Sequence, residues 1–441
     1  MPGMRQSPDQ PALERSISLA EATVYGLGII LGAGIYALIG EAAGIAGNSV
    51  WLSFILAAVI ASFTALSYCE LSSLFPKCAA EYTYVKNAFG NRAFGFLMGW
   101  VSLFVAMVSV SAVSLGFAGY FSGLFGTPIP LTAISLIAVL TIVNFLGVKE
   151  SSRLNLVFTV VALLGLVLVI LAAIPYFGTV DYFSSTSPGI PLAGMLNNVA
   201  IAASLIFFAY IGFEDIANIS EETVNAKSNV PKAIIFALII STILYVLVSA
   251  SAVSIVPWEK LSQSPAPISL VAETALGPEA AILFSFLALF ATASTVLIIL
   301  VAVSRLLYGM SRDKSLPKII SRVHSKAKTP FVSIALTSTA AMLLVLVGDL
   351  KHVAFITNFA IFVMFFMVNL AVVVLRFSRP KTERLFRIPI NIGKMPLIPL
   401  LGLLASVFMI SRIEPNSILF GSACLALGVP AYLLLGRHKK A

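Results

Sequence analysis

Twelve times along this chain, a long run of residues carries no charged side chain. The uncharged stretches are 22–40, 49–69, 93–121, 128–148, 154–180, 182–213, 233–256, 280–304, 329–348, 353–375, 395–411 and 415–436. A helix crosses the hydrocarbon of a bilayer in roughly 20 residues, so runs of this length and number leave little room for a water-soluble fold. Composition agrees: 59% of the 441 residues are hydrophobic and 11% charged, against about a quarter charged in soluble domains. Cys69, Cys78 and Cys424 are too few and too scattered for a disulfide framework or a zinc site. The expected fold is an all-α integral membrane protein with twelve transmembrane helices.

The net charge of +9 is distributed as a topology signal. With the N-terminus placed in the cytoplasm and the loops alternating from there, 25 of the 28 Lys and Arg residues fall on the cytoplasmic side. Only Lys260, Lys351 and Arg412 fall opposite. That asymmetry is what the positive-inside rule requires of an even number of spans with both termini inside. It predicts a multi-pass protein of the cell membrane with cytoplasmic tails at 1–18 and 437–441, the second meeting anionic lipid heads, and it argues against nucleic acid as a partner. The first apolar stretch follows a polar tail and has no convincing small-residue cleavage site, so it is expected to stay as helix 1.

Two stretches read as breaking inside the membrane. Helix 1 contains Gly26, Gly28, Gly32 and Gly34 within nine residues, each costing up to about 1 kcal/mol relative to alanine in a helix. Such glycines serve close helix packing, or an unwound Gly32-Ala33-Gly34 whose bare N–H groups face an anionic substrate group. Helix 6 places Glu214 and Asp215 directly after Gly212-Phe213, in a stretch otherwise uncharged back to Tyr182. Either the helix ends near Phe213 with both acids at the interface, or it breaks there and Ile216, Ala217 and Ile219 continue it; an acid at membrane depth needs water or a partner. The two stretches lie five helices apart in the order of the chain. An odd-numbered repeat inverts in the membrane, and interrupted helices at matching positions of inverted halves point to a transporter binding site.

Four segments together resemble the amino acid–polyamine–organocation transporter family, which shares the LeuT fold. They are Gly32-Ala33-Gly34-Ile35-Tyr36; Phe75-Pro76-Lys77 through Glu81-Tyr82 to Phe89-Gly90, with alanines where the family has a glycine pair; Phe208 to Glu214 with Glu221-Glu222 and Val230-Pro231-Lys232; and Ser304 to Asp313 with Leu316-Pro317 and Thr329-Pro330. The resemblance implies a 5+5 inverted repeat of helices 1–5 (19–174) and 6–10 (192–376), with helices 11–12 at 395–436, in one transporter domain spanning 19–436. It further implies an α-amino acid or related amine as substrate. Its carboxylate would lie on N–H groups of the Gly32-Ala33-Gly34-Ile35 break, and its ammonium on carbonyls of Phe208, Ala209 and Ile211. Tyr36 and Phe208 would close over it as gates. Glu214 would serve as a proton site or as countercharge to a cationic side chain or polyamine.

Many proton-coupled relatives carry a lysine in the middle of helix 5. Here that stretch has none, and alignment on Gly147 and Arg153 places Ala162 at the position. Ala291-Thr292-Ala293-Ser294-Thr295 of helix 8 is instead similar to the Ala-x-x-Ser-Thr of sodium-coupled members. The implied sodium ligands are the carbonyls of Gly28, Leu31 and Ala291 with the hydroxyls of Ser294 and Thr295, and residues three and four apart do share a helical face. The expectation is therefore secondary active amino acid transport by alternating access, with sodium favoured over protons. A polyamine or cationic amino acid transporter and an amino acid exchanger are the alternatives. No cofactor is expected beyond the coupling ion, and the assembly is expected to be a monomer or homodimer.

Other classes fit less well. His324, His352 and His438 lie in loops or the tail and make no intramembrane metal cluster. Ser315-Leu316-Pro317-Lys318 matches a Ser-x-x-Lys pattern in a basic loop, where chance suffices, so an enzyme is not expected. No filter of repeated carbonyls or charged rings suggests a channel. Glu81 to Gly90 reads as an amphipathic helix lying in the membrane interface, and Glu221 and Glu222 as partners for basic residues closing an inner gate.

Overall fold

The computed structural model describes residues 15–436 apart from 185, 187–190, 265 and 347–349. The expected tails at 1–18 and 437–441, except for residues 15–18, lie outside the described residues. The first break divides α1 (Leu19–Ile30) from α2 (Ala33–Ala46). Then follow α3 (Val50–Leu74), the short α4 (Ala80–Phe89), α5 (Arg92–Phe125), α6 (Ile129–Leu146) and α7 (Val148–Ala173). After the second break, between α8 (Leu192–Ile206) and α9 (Asp215–Asn218), come α10 (Ala226–Ile255), α11 (Trp258–Gln263) and α12 (Pro267–Leu276). The remainder is α13 (Pro278–Arg312), α14 (Phe331–Val345), α15 (Leu350–Ser378), α16 (Leu397–Ile410), α17 (Pro415–Ala426) and α18 (Gly428–Ala431). A two-stranded hairpin, β1 (Asn391–Ile392) with β2 (Met395–Pro396), precedes α16.

Ten spans among the described residues are long and apolar enough to cross a membrane, while α14 and α16 are apolar but shorter. Large apolar side chains stand exposed along the outer helices, among them Leu131, Ile142, Leu164, Leu171, Leu404 and Leu419. Such a surface is costly in water and unremarkable in hydrocarbon, where helices also satisfy their own backbone. The protein is a multi-pass, all-α membrane protein. Burial ranks its spans: 89% of the apolar window of α13 is buried inside the protein, against 22% for α6 and 17% for the span at Pro415–Leu434. α13 is therefore the central post, and it packs along α5, α7 and α1.

Local signals set the ends of these helices. Ser18 and Glu21 form a reciprocal capping box at the start of α1, with Glu21 accepting from the Ser18 N–H at 2.8 Å. The Asn91 side chain accepts from Ala93 N–H at 2.8 Å to start α5. α4 departs from expectation. Its residues Ala80 to Val85 are buried in the bundle: Glu81 and Tyr82 find hydrogen-bond partners there, and Tyr84 packs its ring on Tyr68.

Candidate functional site

The first break begins where α1 runs out of partners. Leu31 N–H still reaches the Leu27 carbonyl and Gly32 N–H bonds the Ile30 carbonyl, both at 2.8 Å, and α2 then starts afresh at Ala33. Only glycine fits at 32, since a Cβ there would fall 1.7 Å from Thr295 Oγ1. The break juxtaposes two opposite helix ends. The N–H groups of Ala33, Gly34 and Ile35 open α2 with no carbonyl one turn earlier in their own helix, while α1 presents its last carbonyls. The first end favours an anion and the second a cation.

The second break tightens α8 into a 3-10 turn at Phe207–Tyr210 and leaves helical geometry until α9. Gly212 turns the chain at φ +124, where a Cβ would press on Ile29 Cγ2 at 2.6 Å. Ile211 N–H reaches the Phe208 carbonyl at 3.4 Å, and Glu214 is buried with Oε2 accepting from Gly212 N–H at 2.9 Å.

The two breaks are docked on each other. A Cβ on Gly34 would lie 2.4 Å from Ala209 Cα, so backbone meets backbone. Tyr245 of α10 bridges them: its hydroxyl is shared between the Ile30 carbonyl and the Ala209 carbonyl, the second at 3.0 Å. The Ala209 carbonyl, assigned to a substrate ammonium, thus already has a donor. Tyr36 is fully buried, with its hydroxyl donating to the Ala162 carbonyl at 3.1 Å and its own carbonyl accepting from Tyr120. Phe208 is also buried.

At the carbonyl end of α1, oxygens converge. Ser294 donates to Asn155 Oδ1 at 2.6 Å or the Gly28 carbonyl at 3.2 Å, and Thr295 lies within reach of the carbonyls of Gly28 (3.1 Å), Ile29 (3.2 Å) and Ala291 (3.3 Å). Thr159 Oγ1 completes the cluster, 3.3 Å from Asn155 Oδ1 and 3.4 Å from Ser294 Oγ. Oxygens outnumber the three hydroxyl protons shared among them, and no charged side chain takes part. Of the carbonyls expected here, Gly28 and Ala291 are brought together with Ser294 and Thr295. The Ile29 carbonyl joins them through Thr295, while Leu31 caps the end of α1 just beyond. Asn155 and Thr159 were missed by sequence reasoning. Ala162 lies about one turn beyond Thr159 on α7, where its carbonyl accepts from Tyr36.

Toward the basic loops, a cavity below the second break is lined by Glu81, Ser109, Ile211, Glu214, Asp215 and Met364, among others. Tyr68 donates to Glu81 Oε1 at 3.0 Å, while Glu81 Oε2 and Ser109 Oγ are buried without a hydrogen-bond partner. Burial pushes the Glu81 carboxyl above its ordinary 4.5, against hydrogen bonding that includes Tyr68. Beneath the cavity the molecule is clamped. Glu221 takes both Arg312 Nη1 at 2.7 Å and Nη2 at 2.5 Å, Glu222 pairs with the buried Arg305 at 3.3 Å, and Lys86 and Tyr82 both bond Asp313. Ser16 and Ile17 N–H groups cross over to the Glu222 carbonyl at 3.0 Å. The two glutamates singled out from sequence both find cationic partners here.

Comparison with known proteins places this geometry. A family model described as amino acid permease matches residues 17–423. The branched-chain amino acid permease BcaP of Bacillus subtilis is 32% identical, over 98% of this chain and 95% of its own length. The methylthioribose transporter of the same organism is 30% identical, over 97% and 94% respectively. The vacuolar cationic amino acid transporter 4 of Arabidopsis thaliana is 28% identical, over 83% of this chain and 64% of its own.

Proposed function

Since the chain belongs to the amino acid permease family, a family of transporters and not of enzymes, we propose that it carries amino acids across the cell membrane by alternating access, coupled to a cation with sodium favoured over protons. In this reading it has twelve spans with cytoplasmic termini, and helices 1–5 and 6–10 form inverted repeats around the two breaks. The docking of Gly34 on Ala209 is the observation that carries it. It sets free N–H donors of one half-helix beside carbonyl acceptors of the other, which is what a zwitterion needs at its two ends without burying ionised side chains. The Ala33, Gly34 and Ile35 N–H groups take the carboxylate. The ammonium lies toward the Phe208 and Ile211 carbonyls, with Ala209 contributing when Tyr245 turns to Ile30.

The sodium assignment is supported by the chemistry of the donor set. Neutral carbonyl and hydroxyl oxygens from Gly28, Asn155, Thr159, Ser294 and Thr295 suit a hard monovalent cation, and the middle of α7 carries no lysine to compete. Bound there, the ion supplies a positive charge that fastens α13 to the end of α1 and fixes the break for substrate.

The carboxylates around the lower cavity favour a second reading, transport of cationic amino acids or amines, with Glu214 as countercharge or proton carrier. Uptake of labelled leucine and lysine into proteoliposomes separates the readings. An inward sodium gradient is expected to drive accumulation that an equal choline gradient does not. Ser294→Ala should raise the half-saturating sodium concentration roughly ten- to hundredfold, the scale of one hydrogen bond to a charged group. Equal uptake in sodium and choline, with a response to a pH gradient, would overturn the sodium assignment in favour of protons.

A further inference from the structure

Away from the breaks, the ends of α3 and α15 and the segment that follows α15 enclose a second cleft. It is lined by Arg376, Pro380, Thr382, Arg384, Arg387 and Lys394. Four of the six are cations and none is acidic. Behind them Glu70 is fully used: Oε2 accepts from Arg376 Nη2 at 2.6 Å and Ile388 N–H at 3.0 Å, and Oε1 lies 3.0 Å from Arg384 Nε. Four positive charges against one negative leave an excess of three.

The site is built rather than incidental. Arg376 is 4% exposed, and its Nε is buried with no hydrogen-bond partner, although a guanidinium cannot shed its proton and an unpaired buried donor is costly. Arg384 is held by the carbonyls of Thr382 (2.9 Å) and Leu375 (3.1 Å). Burial pulls its guanidinium below the usual arginine range; Glu70 works against that, and Arg376 and Arg387 add to it. The β1–β2 hairpin carries Lys394 at its turn. Along the same segment Phe377, Leu385, Ile390 and Ile392 stand exposed, so apolar surface accompanies the charge.

We propose that this cleft binds a phosphate group, presented by an anionic phospholipid whose acyl chains lie against that apolar surface. Phosphate suits planar, forked guanidinium donors, and basic clefts between membrane helices take lipid headgroups. Arg376 and Arg384 form its floor, and Arg387 and Lys394 close over the anion.

Native mass spectrometry of the full-length protein in neutral detergent tests this. The probes are dioleoylphosphatidylglycerol, dioleoylphosphatidylcholine and inorganic phosphate. The phosphatidylglycerol adduct is expected to survive where the phosphatidylcholine adduct does not. Arg387→Gln with Lys394→Gln, both exposed side chains outside the Glu70 ion pairs, should weaken it about tenfold. Lipid that millimolar phosphate fails to displace identifies the headgroup as the source. Displacement by phosphate, lost in the double variant, identifies a soluble anion at the same site. Equal retention of the two lipids by the wild-type protein without phosphate binding, or an undiminished phosphatidylglycerol adduct in a folded double variant, would overturn the proposal.

Discussion

One hydroxyl, that of Tyr245, stands between the two broken strands of helix. It has a single proton and two carbonyls within reach, Ile30 in the first break and Ala209 in the second; Ile30 also accepts from Gly32 N–H at 2.8 Å, so Ala209 is the carbonyl left without this donor whenever the proton turns to Ile30. That excess of acceptor is useful only where another donor, such as a substrate ammonium, arrives. Tyr245→Phe keeps the ring packed on Phe54 and Tyr210 and removes only the hydroxyl. The cost expected is about 1–3 kcal/mol for leaving a buried acceptor unmet. It should appear as a lower melting temperature in detergent, recovered in part on adding substrate. A variant that melts like the wild-type protein and transports at the same rate would show that the bridge carries no weight. The glycines around it were legible in the sequence because a glycine cluster inside an apolar run has few explanations. Tyr245 was not, since nothing in an apolar stretch marks which aromatic hydroxyl will find a carbonyl.

In the proposed alternating access the elements around the breaks would move as halves of a clamp, with the ion pairs beneath the cavity as its latch. Glu221 sits in the middle, taking both Arg312 nitrogens while its Oε1 accepts the Cys78 N–H at 3.2 Å. Cys78 is 3% exposed, and burial, reinforced by Glu221 and Glu222, pushes its thiol well above the ordinary range. A buried, protonated thiol is inert toward maleimide, which makes Cys78 a reporter of the latch. Glu221→Gln and Arg312→Gln should each speed Cys78 alkylation by about tenfold or more, the equivalent of one unit of pKa. The first removes a negative charge and the second a positive one. Faster labelling in both therefore reports opening, whereas a rise only in Glu221→Gln reports electrostatics and leaves the latch reading unsupported. The pairing of Glu221 and Glu222 with basic residues could be anticipated from charge alone. The burial of α4 could not, because its sequence is amphipathic and the partner of Glu81, Tyr68, lies on another element. Asn155 and Thr159 escaped notice for a related reason: their role depends on the rotational register of α7 against α1, which one sequence leaves open by a turn.

At the scale of the whole molecule, the 25-to-3 division of Lys and Arg has to correspond to two faces of one bundle. α13 decides this more sharply than any other span. Its 35 residues, at about 1.5 Å each, run some 50 Å, enough to carry the chain from one side of a bilayer to the other. Lys260 lies before its N-terminal end and Lys326 beyond its C-terminal end, and both are exposed. The positive-inside assignment puts the first outside the cell and the second within. In a Cys424→Ser background, where Cys69 and Cys78 are buried, a membrane-impermeant maleimide added to intact cells should label Lys260→Cys at once. Lys326→Cys should react only after permeabilisation. The reverse pattern would invert the protein in the membrane and with it the direction in which the proposed sodium gradient would act on the Gly28, Ser294 and Thr295 cluster. Labelling of both from outside would mean that α13 does not cross, and would remove the central post on which the two breaks are hung. The bundle is thus tied together by one element: α13 shapes the first break through Thr295 against Gly32, supplies hydroxyls to the oxygen cluster through Ser294 and Thr295, and anchors the latch through Arg305 and Arg312. A rotation of that single helix would be felt at all three places at once, and this is the route by which the proposed cation near its middle would be linked to opening at its end.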